Sequence, residues 1–223
     1  MSLTHLGIIA DGNRRWARER GLPTIEGHRK GLDAIGALVD GAIENGVKYI
    51  SFYVFSTENW GRSKAEVSYI MKLAETMIGK YAEKLKAKNG RLLVLGSKDR
   101  ISPKLASIFE KAEETTKDCD GITVCFCFNY GGELEISDAA NKAMKAGEEI
   151  TPETIRKHLY HPEVPNIDMV VRTSGEERIS GFMLWRSSYA EFMFIKKYFP
   201  EMKEDDVAEI VKEYEKRNRR FGK

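Results

Sequence analysis

Apolar positions along this chain keep two alternating rhythms. Short, dense runs of β-branched and aromatic residues predict strands over His5–Ala10, Tyr49–Phe55, Arg91–Leu95, Ile122–Asn129 and Ile167–Arg172, with a further short one over Phe192–Ile195. Between them lie longer stretches whose apolar residues recur at helical spacing. These predict helices over Gly27–Glu44, Lys64–Lys88, Pro103–Lys117, Glu133–Lys145, Thr151–His158 and Glu204–Arg219. In Gly27–Glu44 the stripe is Leu32, Ile35, Leu38, Ala42 and Ile43; in Lys64–Lys88 it runs from Val67 through Ile70, Met71, Ala74, Met77 and Ile78 to Tyr81. Ser102 before Pro103 is a helix-opening signal, because a proline fits the first turn.

Strand and helix in regular alternation predict an α/β fold, a mostly parallel central sheet flanked by helices. No linker or repeat divides the chain, so one domain over residues 1–223 is expected. Parallel sheets bind ligands at the carboxyl ends of their strands. Four polar groups follow strands and should share that rim: Asp11-Gly12-Asn13-Arg14-Arg15, Ser56-Thr57-Glu58-Asn59-Trp60, Asn129-Tyr130-Gly131-Gly132, and Arg172-Thr173-Ser174-Gly175-Glu176.

The first group joins a strand to a helix start. Gly12 lets backbone approach a ligand, helix-start amides suit phosphate oxygens, and two arginines add forked cationic donors. The Asp11 carboxylate would repel phosphate unless a cation lay between them, so the set resembles a magnesium–diphosphate site. A plain capped turn with a solvated basic helix is the competing reading. In the fourth group Arg172, Arg178 and Ser180 could hold a second diphosphate, with Thr173 and Ser174 as hydroxyl donors; a surface pair between Arg172 and Glu176 is the alternative. His28 lies close to the first group. His158 and His161 read as helix-end residues.

Composition narrows the field. Of 223 residues, 42% are hydrophobic and 31% charged, an ordinary soluble balance. No run approaches the roughly 20 apolar residues of a membrane span, and no leader pattern is visible, so a cytoplasmic location is expected. The net charge of +2 is too small to argue for nucleic acid. Three cysteines without CxxC spacing argue against disulfides or zinc, and Cys125 and Cys127 read as buried strand residues. Phosphate-loop, dinucleotide and nucleophile-elbow patterns are absent.

Together these segments resemble the cis-prenyltransferase family, which includes undecaprenyl diphosphate synthases. His5-Leu6-Gly7-Ile8-Ile9-Ala10-Asp11-Gly12-Asn13-Arg14-Arg15-Trp16-Ala17 with Gly27-His28-Arg29-Lys30-Gly31 resembles the opening motif. Tyr53–Trp60 followed by Arg62, then Asn129–Gly132, Arg172–Trp185 and Tyr189–Phe192 resemble the later motifs in order, and the tail Arg217–Gly222 is similar. The resemblance implies a sheet-and-helix fold with a hydrophobic tunnel, a homodimer, and condensation of isopentenyl diphosphate with an allylic diphosphate to a Z-polyprenyl diphosphate. It implies Mg2+ held by Asp11, with Glu191 assisting from the partner subunit. Gly12, Asn13, Arg14, Arg15, Trp16 and His28 would serve the allylic diphosphate. Arg172, Arg178 and Ser180 would bind isopentenyl diphosphate. Ser56, Glu58, Asn59, Trp60 and Arg62 would lie on or beside a mobile loop, with Phe55 and Trp60 near the prenyl chain and Asn13 and Ser56 helping the diphosphate and proton leave.

Val54, Met71, Ala74, Met77, Ile78, Leu85 and Ile122 are expected to line the tunnel, or else to be plain core. Arg14 is common in archaeal and eukaryotic members, and Thr24 and Arg186 also depart from the bacterial pattern; these changes are expected to touch the substrate pockets. A lipid product could bring the enzyme to a membrane surface. Rival readings are a prenyltransferase using another acceptor, such as a second allylic diphosphate or an alcohol, and a non-catalytic accessory subunit. No DDxxD motif of the trans-type enzymes occurs.

Overall fold

The computed structural model describes residues 2–217. The end of the basic tail, from Asn218 onward, lies outside the described residues, as does the last part of the helix expected over Glu204–Arg219.

Six strands form one sheet: β1 (His5–Ile9), β2 (Tyr49–Ser56), β3 (Arg91–Leu95), β4 (Thr123–Tyr130), β5 (Met169–Arg172) and β6 (Glu191–Phe194). Their order is β3-β4-β2-β1-β5-β6, and every neighbouring pair is parallel. Strand β1 sits inside, and all five of its residues are buried. That explains its unbroken apolar run: a strand covered on both faces has no polar side to show.

Among the described residues seven α-helices flank the sheet: α1 (Asn13–Glu19), α2 (Thr24–Glu44), α3 (Lys64–Lys86), α4 (Pro103–Thr116), α5 (Gly132–Lys145) and α6 (Pro152–His158) between strands, and α7 (Asp205–Glu215) after the last one. One face of the sheet packs on α2, α3, α4 and α7, through residues such as Leu38, Ile78, Phe109 and Ile210 against Ile8, Phe52 and Phe126. The other face carries Tyr53, Leu93, Cys125 and Cys127 and packs on Val164, Ile167, Phe182 and Met183. Both strand cysteines are fully buried, and burial pushes the Cys125 thiol up to about 12, so it stays protonated and unreactive. In α2 the expected stripe holds except at its end, where Ile43 is 40% exposed. Ser102 caps α4 as expected, accepting a hydrogen bond from the Leu105 amide.

The edge strand β3 is blunted by side chains. Thr116 Oγ1 accepts from Leu92 N at 2.9 Å and Glu113 Oε1 from Val94 N at 2.7 Å, so α4 satisfies amides that would otherwise template another strand. On the β2–β4 pair the register slips between Tyr53 and Ser56. Such irregularities bend a strand and re-aim side chains, and this one falls at the end of β2, beside the cleft-lining Ser56.

Candidate active site

The turn after β1 is fastened before it does any chemistry. Thr173 Oγ1 accepts from Asp11 N (2.9 Å) and donates to Asp11 O (2.6 Å), while Phe199 N donates to the same carbonyl at 3.0 Å. Gly12 has φ +102°, and a Cβ there would lie 2.6 Å from the Tyr198 ring; only glycine fits. Gly27 allows a similar approach of α2 to α1, since its Cβ would fall 2.0 Å from Asn13 O. These two contacts set Asp11, Asn13 and His28 around one opening.

Asp11 is the hub of a charge network. Its Oδ1 accepts from Gly12 N at 2.7 Å, and its Oδ2 accepts from Arg172 Nη2 at 2.9 Å with Arg15 at 3.6 Å. Arg172 leaves the end of β5 almost fully buried. Its Nη1 donates to Ser180 Oγ at 2.9 Å and to the carbonyl of Arg178. Glu176 bridges the remaining pair, taking Arg15 at 3.0 Å and Arg178 at 2.5 Å, and the Arg178 hydrogen bond is the main cause holding its carboxyl below the usual range. The alternative reading, a surface pair between Arg172 and Glu176, is not what forms: Arg172 pairs with Asp11 and is almost fully buried.

A second carboxylate, Glu66, gathers His28 (3.3 Å), Arg62 (3.1 Å) and Arg14 (3.8 Å). Burial keeps His28 below its ordinary pKa, against the pull of Glu66, and burial likewise lowers Arg62. Nothing in the sequence singles out Glu66, since Ser63-Lys64-Ala65-Glu66 has the spacing of a helix-opening capping box. Ser63 does accept from Glu66 N, but the Glu66 side chain turns to the cations instead.

The segment after β2 is a short 3₁₀ turn, Thr57–Gly61, in place of the loop expected there. Asn59 Oδ1 accepts from Ser56 N at 3.3 Å. Trp60 Nε1 donates to Asn129 Oδ1 at 2.7 Å, the Arg100 guanidinium lies 4.6 Å from the Trp60 ring, and Phe55 meets that ring edge-on at 5.2 Å. Asn129 completes its own bonding on the carbonyls of Ser97 and Asp99. Burial works against the Glu58 charge, yet hydrogen bonds from its own amide, Thr57 and Ser56 outweigh it, and its pKa is lowered.

The Asp11–Arg172 network, and the cations His28, Arg62 and Arg14 gathered by Glu66, border a cleft of about 1000 Å³. Of the residues expected at the site, Asp11, Gly12, Asn13, Arg14, Arg15, His28, Ser56, Asn59, Arg62, Arg172, Arg178 and Ser180 line it. Trp16, Phe55, Glu58 and Trp60 do not. Trp16 instead lies under the Arg20 guanidinium, 4.7 Å away. Glu191 stands on edge strand β6, paired with Arg217 at 3.2 Å, and is not among the lining residues. Arg18, Leu22, Pro23 and Tyr53 line the cleft without having been singled out; as an arginine one helical turn past Arg14, Arg18 carried a signal that could have been used. Thr24 borders the cleft as expected, but Arg186 does not: its side chain is fully buried against Glu135, 2.8 Å away.

Behind the cleft lies an apolar cavity of about 60 Å³ between α2, α3, α4 and the sheet. Val54 borders both spaces. Of the tunnel residues expected, Val54, Ala74, Met77 and Ile78 line it; Met71, Leu85 and Ile122 are packed into the core or against it.

Within the described residues, no cluster of three or more His, Cys, Asp or Glu side chains forms a metal cage. A lone carboxylate still suits Mg2+, which takes one or two protein carboxylates plus substrate phosphates and water. Among the described residues four buried side-chain atoms have no protein partner, Asn13 Oδ1, Tyr81 Oη, Arg172 Nε and Ser174 Oγ, and of these Arg172 Nε is a donor on a residue that lines the cleft, as suits an anionic ligand.

Comparison with known proteins decides the identity. The family described as "Putative undecaprenyl diphosphate synthase" matches residues 9–222. This chain belongs to that family, the cis-prenyltransferases. It condenses isopentenyl diphosphate with allylic diphosphates to Z-polyprenyl diphosphates. It is 43% identical to an isoprenyl transferase of Thermotoga maritima, over 98% of this chain and 96% of the relative. It is 40% identical to a trans,polycis-polyprenyl diphosphate synthase, (2Z,6E)-farnesyl diphosphate specific, of Thermobifida fusca, over 98% and 80%. A lavandulyl diphosphate synthase from Lavandula x intermedia, solved with dimethylallyl diphosphate, superposes with a TM-score of 0.94 at 30% identity, covering 100% and 99% of the two chains. Both sequence relatives named are bacterial, although Arg14 pointed toward archaeal and eukaryotic members. Within residues 2–217 no helix of this cis-prenyltransferase is long and apolar enough to cross a membrane.

Proposed function

We propose that this cis-prenyltransferase works as one catalytic domain over residues 1–223 and needs Mg2+ held by Asp11. Gly12, Asn13, Arg14, Arg15 and His28 bind the allylic diphosphate. Arg172, Arg178 and Ser180 bind isopentenyl diphosphate. The observation that carries this reading is the 2.9 Å pair between Asp11 and Arg172 at the mouth of a cleft that meets an apolar cavity at Val54. Charged heads and a hydrocarbon tail each have a matching wall.

The chemistry follows from that division. As the allylic C–O bond breaks, negative charge grows on the departing diphosphate. Arg14, Arg15 and the Gly12 turn stand preorganised where it develops, and such groups act most strongly on the transition state. Bound Mg2+ supplies further neutralisation of the diphosphate charge. The double bond of isopentenyl diphosphate attacks the allylic carbon, and the proton then lost passes toward the diphosphate beside Asn13 and Ser56. The apolar walls keep water from the cation.

Glu191 reaches such a site only from a second copy of the chain, and we assign it a supporting metal role in a homodimer built across the β6 edge. The acceptor is taken to be isopentenyl diphosphate, since Arg172, Arg178 and Ser180 form a second anion-binding set beside the first.

The test is direct. Purified protein with Mg2+, labelled isopentenyl diphosphate and a series of allylic primers should give labelled lipid, lost on chelation. Asp11→Asn should lower turnover by about a hundredfold or more while the thermal melt stays cooperative. Near-normal activity in that variant overturns the metal assignment, and no lipid from any primer overturns the reaction.

A further inference from the structure

Ser56 and Asn59 line the reaction cleft from the end of β2 and from the short turn Thr57–Gly61 that follows it. The hydrogen bonds of these side chains are local. Asn59 Oδ1 accepts from Ser56 N at 3.3 Å, and Thr57 Oγ1 donates to Glu58 Oε1 at 2.9 Å. Trp60 is the residue of the turn that reaches further. Its ring meets Phe55 on β2, Asn129 on β4 and Arg100 on the connection after β3, and none of these three borders the cleft.

Asn129 is buried and forms the floor of this socket. Carbonyls only accept and an indole N–H only donates, so its neighbours dictate which way the amide points. Nδ2 donates to Ser97 O at 2.9 Å and to Asp99 O at 2.6 Å, which leaves Oδ1 to accept from Trp60 Nε1 at 2.7 Å. One side chain thereby joins the connection after β3 to the turn after β2. Its φ of +51° is one that asparagine adopts more readily than most residues. Two residues on, Gly131 packs so close to the same turn that an added Cβ would lie 2.6 Å from Thr57 Oγ1.

Arg100 closes the socket from the solvent side. It is exposed, and its guanidinium lies 4.6 Å from the centre of the Trp60 ring, which Phe55 meets edge-on at 5.2 Å. A cation over an indole face is attracted by the ring quadrupole. Arg100 has φ +65°, a left-handed conformation that a long side chain seldom adopts and that its surroundings must maintain. The bond from Asn129 to the carbonyl of Asp99 holds the backbone just before it. The amide that takes the indole N–H therefore also presents the arginine to the ring.

We propose that Arg100 and Asn129 are positioning residues for the condensation: they clamp the Trp60 ring and so keep Ser56 and Asn59 directed at the cleft, without bordering it themselves. The inference rests on the placing of Ser56 beside the departing diphosphate, and it adds two residues outside the cleft on which that placing depends. The arginines assigned to the two diphosphates stand on α1 and after β5. Loosening the clamp leaves them where they are, so it slows the chemical step more than it weakens binding.

The experiment follows the first condensation in single turnover, with the full chain, Mg2+, an allylic primer and labelled isopentenyl diphosphate, well below each variant's cooperative melt. Arg100 is exposed, so Arg100→Ala should fold. It should lower the rate about fivefold, with half-saturating substrate concentrations changed by no more than about twofold. Arg100→Lys, which returns a cation to the ring, should recover most of the rate. In a Trp60→Leu background, itself slow, Arg100→Ala should slow the reaction no further, because the ring it acts through is gone. Ser56→Ala is measured alongside. Full rate in that variant overturns the placing of Ser56 and the clamp with it, whereas a slow Ser56→Ala beside a full-rate Arg100→Ala overturns the clamp alone. An equal loss from Arg100→Ala with and without Trp60 also overturns the clamp, since the guanidinium would then act through its charge and not through the ring.

Discussion

At the scale of single residues, burial decides which polar groups are structural and which await a ligand. His5 is fully buried, with Nδ1 donating to Pro165 O at 3.0 Å and Nε2 accepting from Ser51 Oγ at 2.7 Å. Both ring nitrogens are engaged in the neutral form, and burial lowers the pKa to about 4. The unfolded chain keeps an ordinary value near 6.5, so between those values it binds more protons than the native state. This contribution to stability is therefore complete above about pH 6.5 and is lost as the pH falls toward 4, amounting to about 2 kcal/mol near pH 5. Urea unfolding at neutral pH and near pH 5 should show that loss, and His5→Gln should flatten the difference. An equally steep decline in the variant would place the pH sensitivity elsewhere. Arg172 is the opposite case. It keeps a buried Nε donor without a protein partner beside the cleft, a donor that an anionic ligand can use; Asn13 Oδ1, also unpartnered, is an acceptor close to Gly31 of α2.

At the scale of elements, most boundaries were legible because periodicity and turn residues agree. Strand β3 and the start of α3 fall where the apolar pattern puts them, and α4 starts where the pattern and Ser102 put it. What the sequence hid were pairings across long separations. Glu66 carries no mark that it will collect His28, Arg62 and Arg14, and Asn129 none that it will hold Trp60. Arg186 looked like a substrate-pocket substitution and is instead a strut. Its guanidinium meets Glu135 at 2.8 Å, Tyr160 O at 2.6 Å and His161 O at 3.1 Å, while Glu135 also accepts from Tyr130 at 2.5 Å and from Tyr160 N at 3.0 Å. This ties α5 to the connection after α6 and to the segment leading from Ser180 to β6. Arg186→Met would strand the Glu135 carboxylate in the interior and should cost roughly 3–5 kcal/mol by denaturant unfolding. Adding Glu135→Gln to that variant should recover part of the loss. Equal stability of the single and double variants would mean the pair is not a coupled unit.

At the scale of the whole molecule, the fold class and the shared rim followed from strand–helix alternation, because a parallel sheet places all its strand ends on one side. The cavities did not follow, because which apolar side chains leave a gap depends on packing that periodicity does not encode; of two α3 residues expected to line the tunnel, Met77 borders a space and Leu85 is packed in the core. Charge shows the same limit. The net charge of +2 says little, yet six arginines border the reaction cleft against two carboxylates, Asp11 and Glu176, so positive potential is gathered at one mouth. Concave, partly enclosed charge of one sign draws in oppositely charged ligands and is weakened as salt shortens the screening length. The KM for isopentenyl diphosphate should therefore rise severalfold, roughly, between low and high potassium chloride at fixed Mg2+. Turnover at saturation should change little, because the arginines nearest the leaving diphosphate are shielded once the substrates fill the cleft. Steady-state kinetics across a salt series separates the two quantities. A KM indifferent to salt would mean that Asp11, Glu176 and Glu66 already neutralise the arginines, and that substrate is captured by close contacts alone.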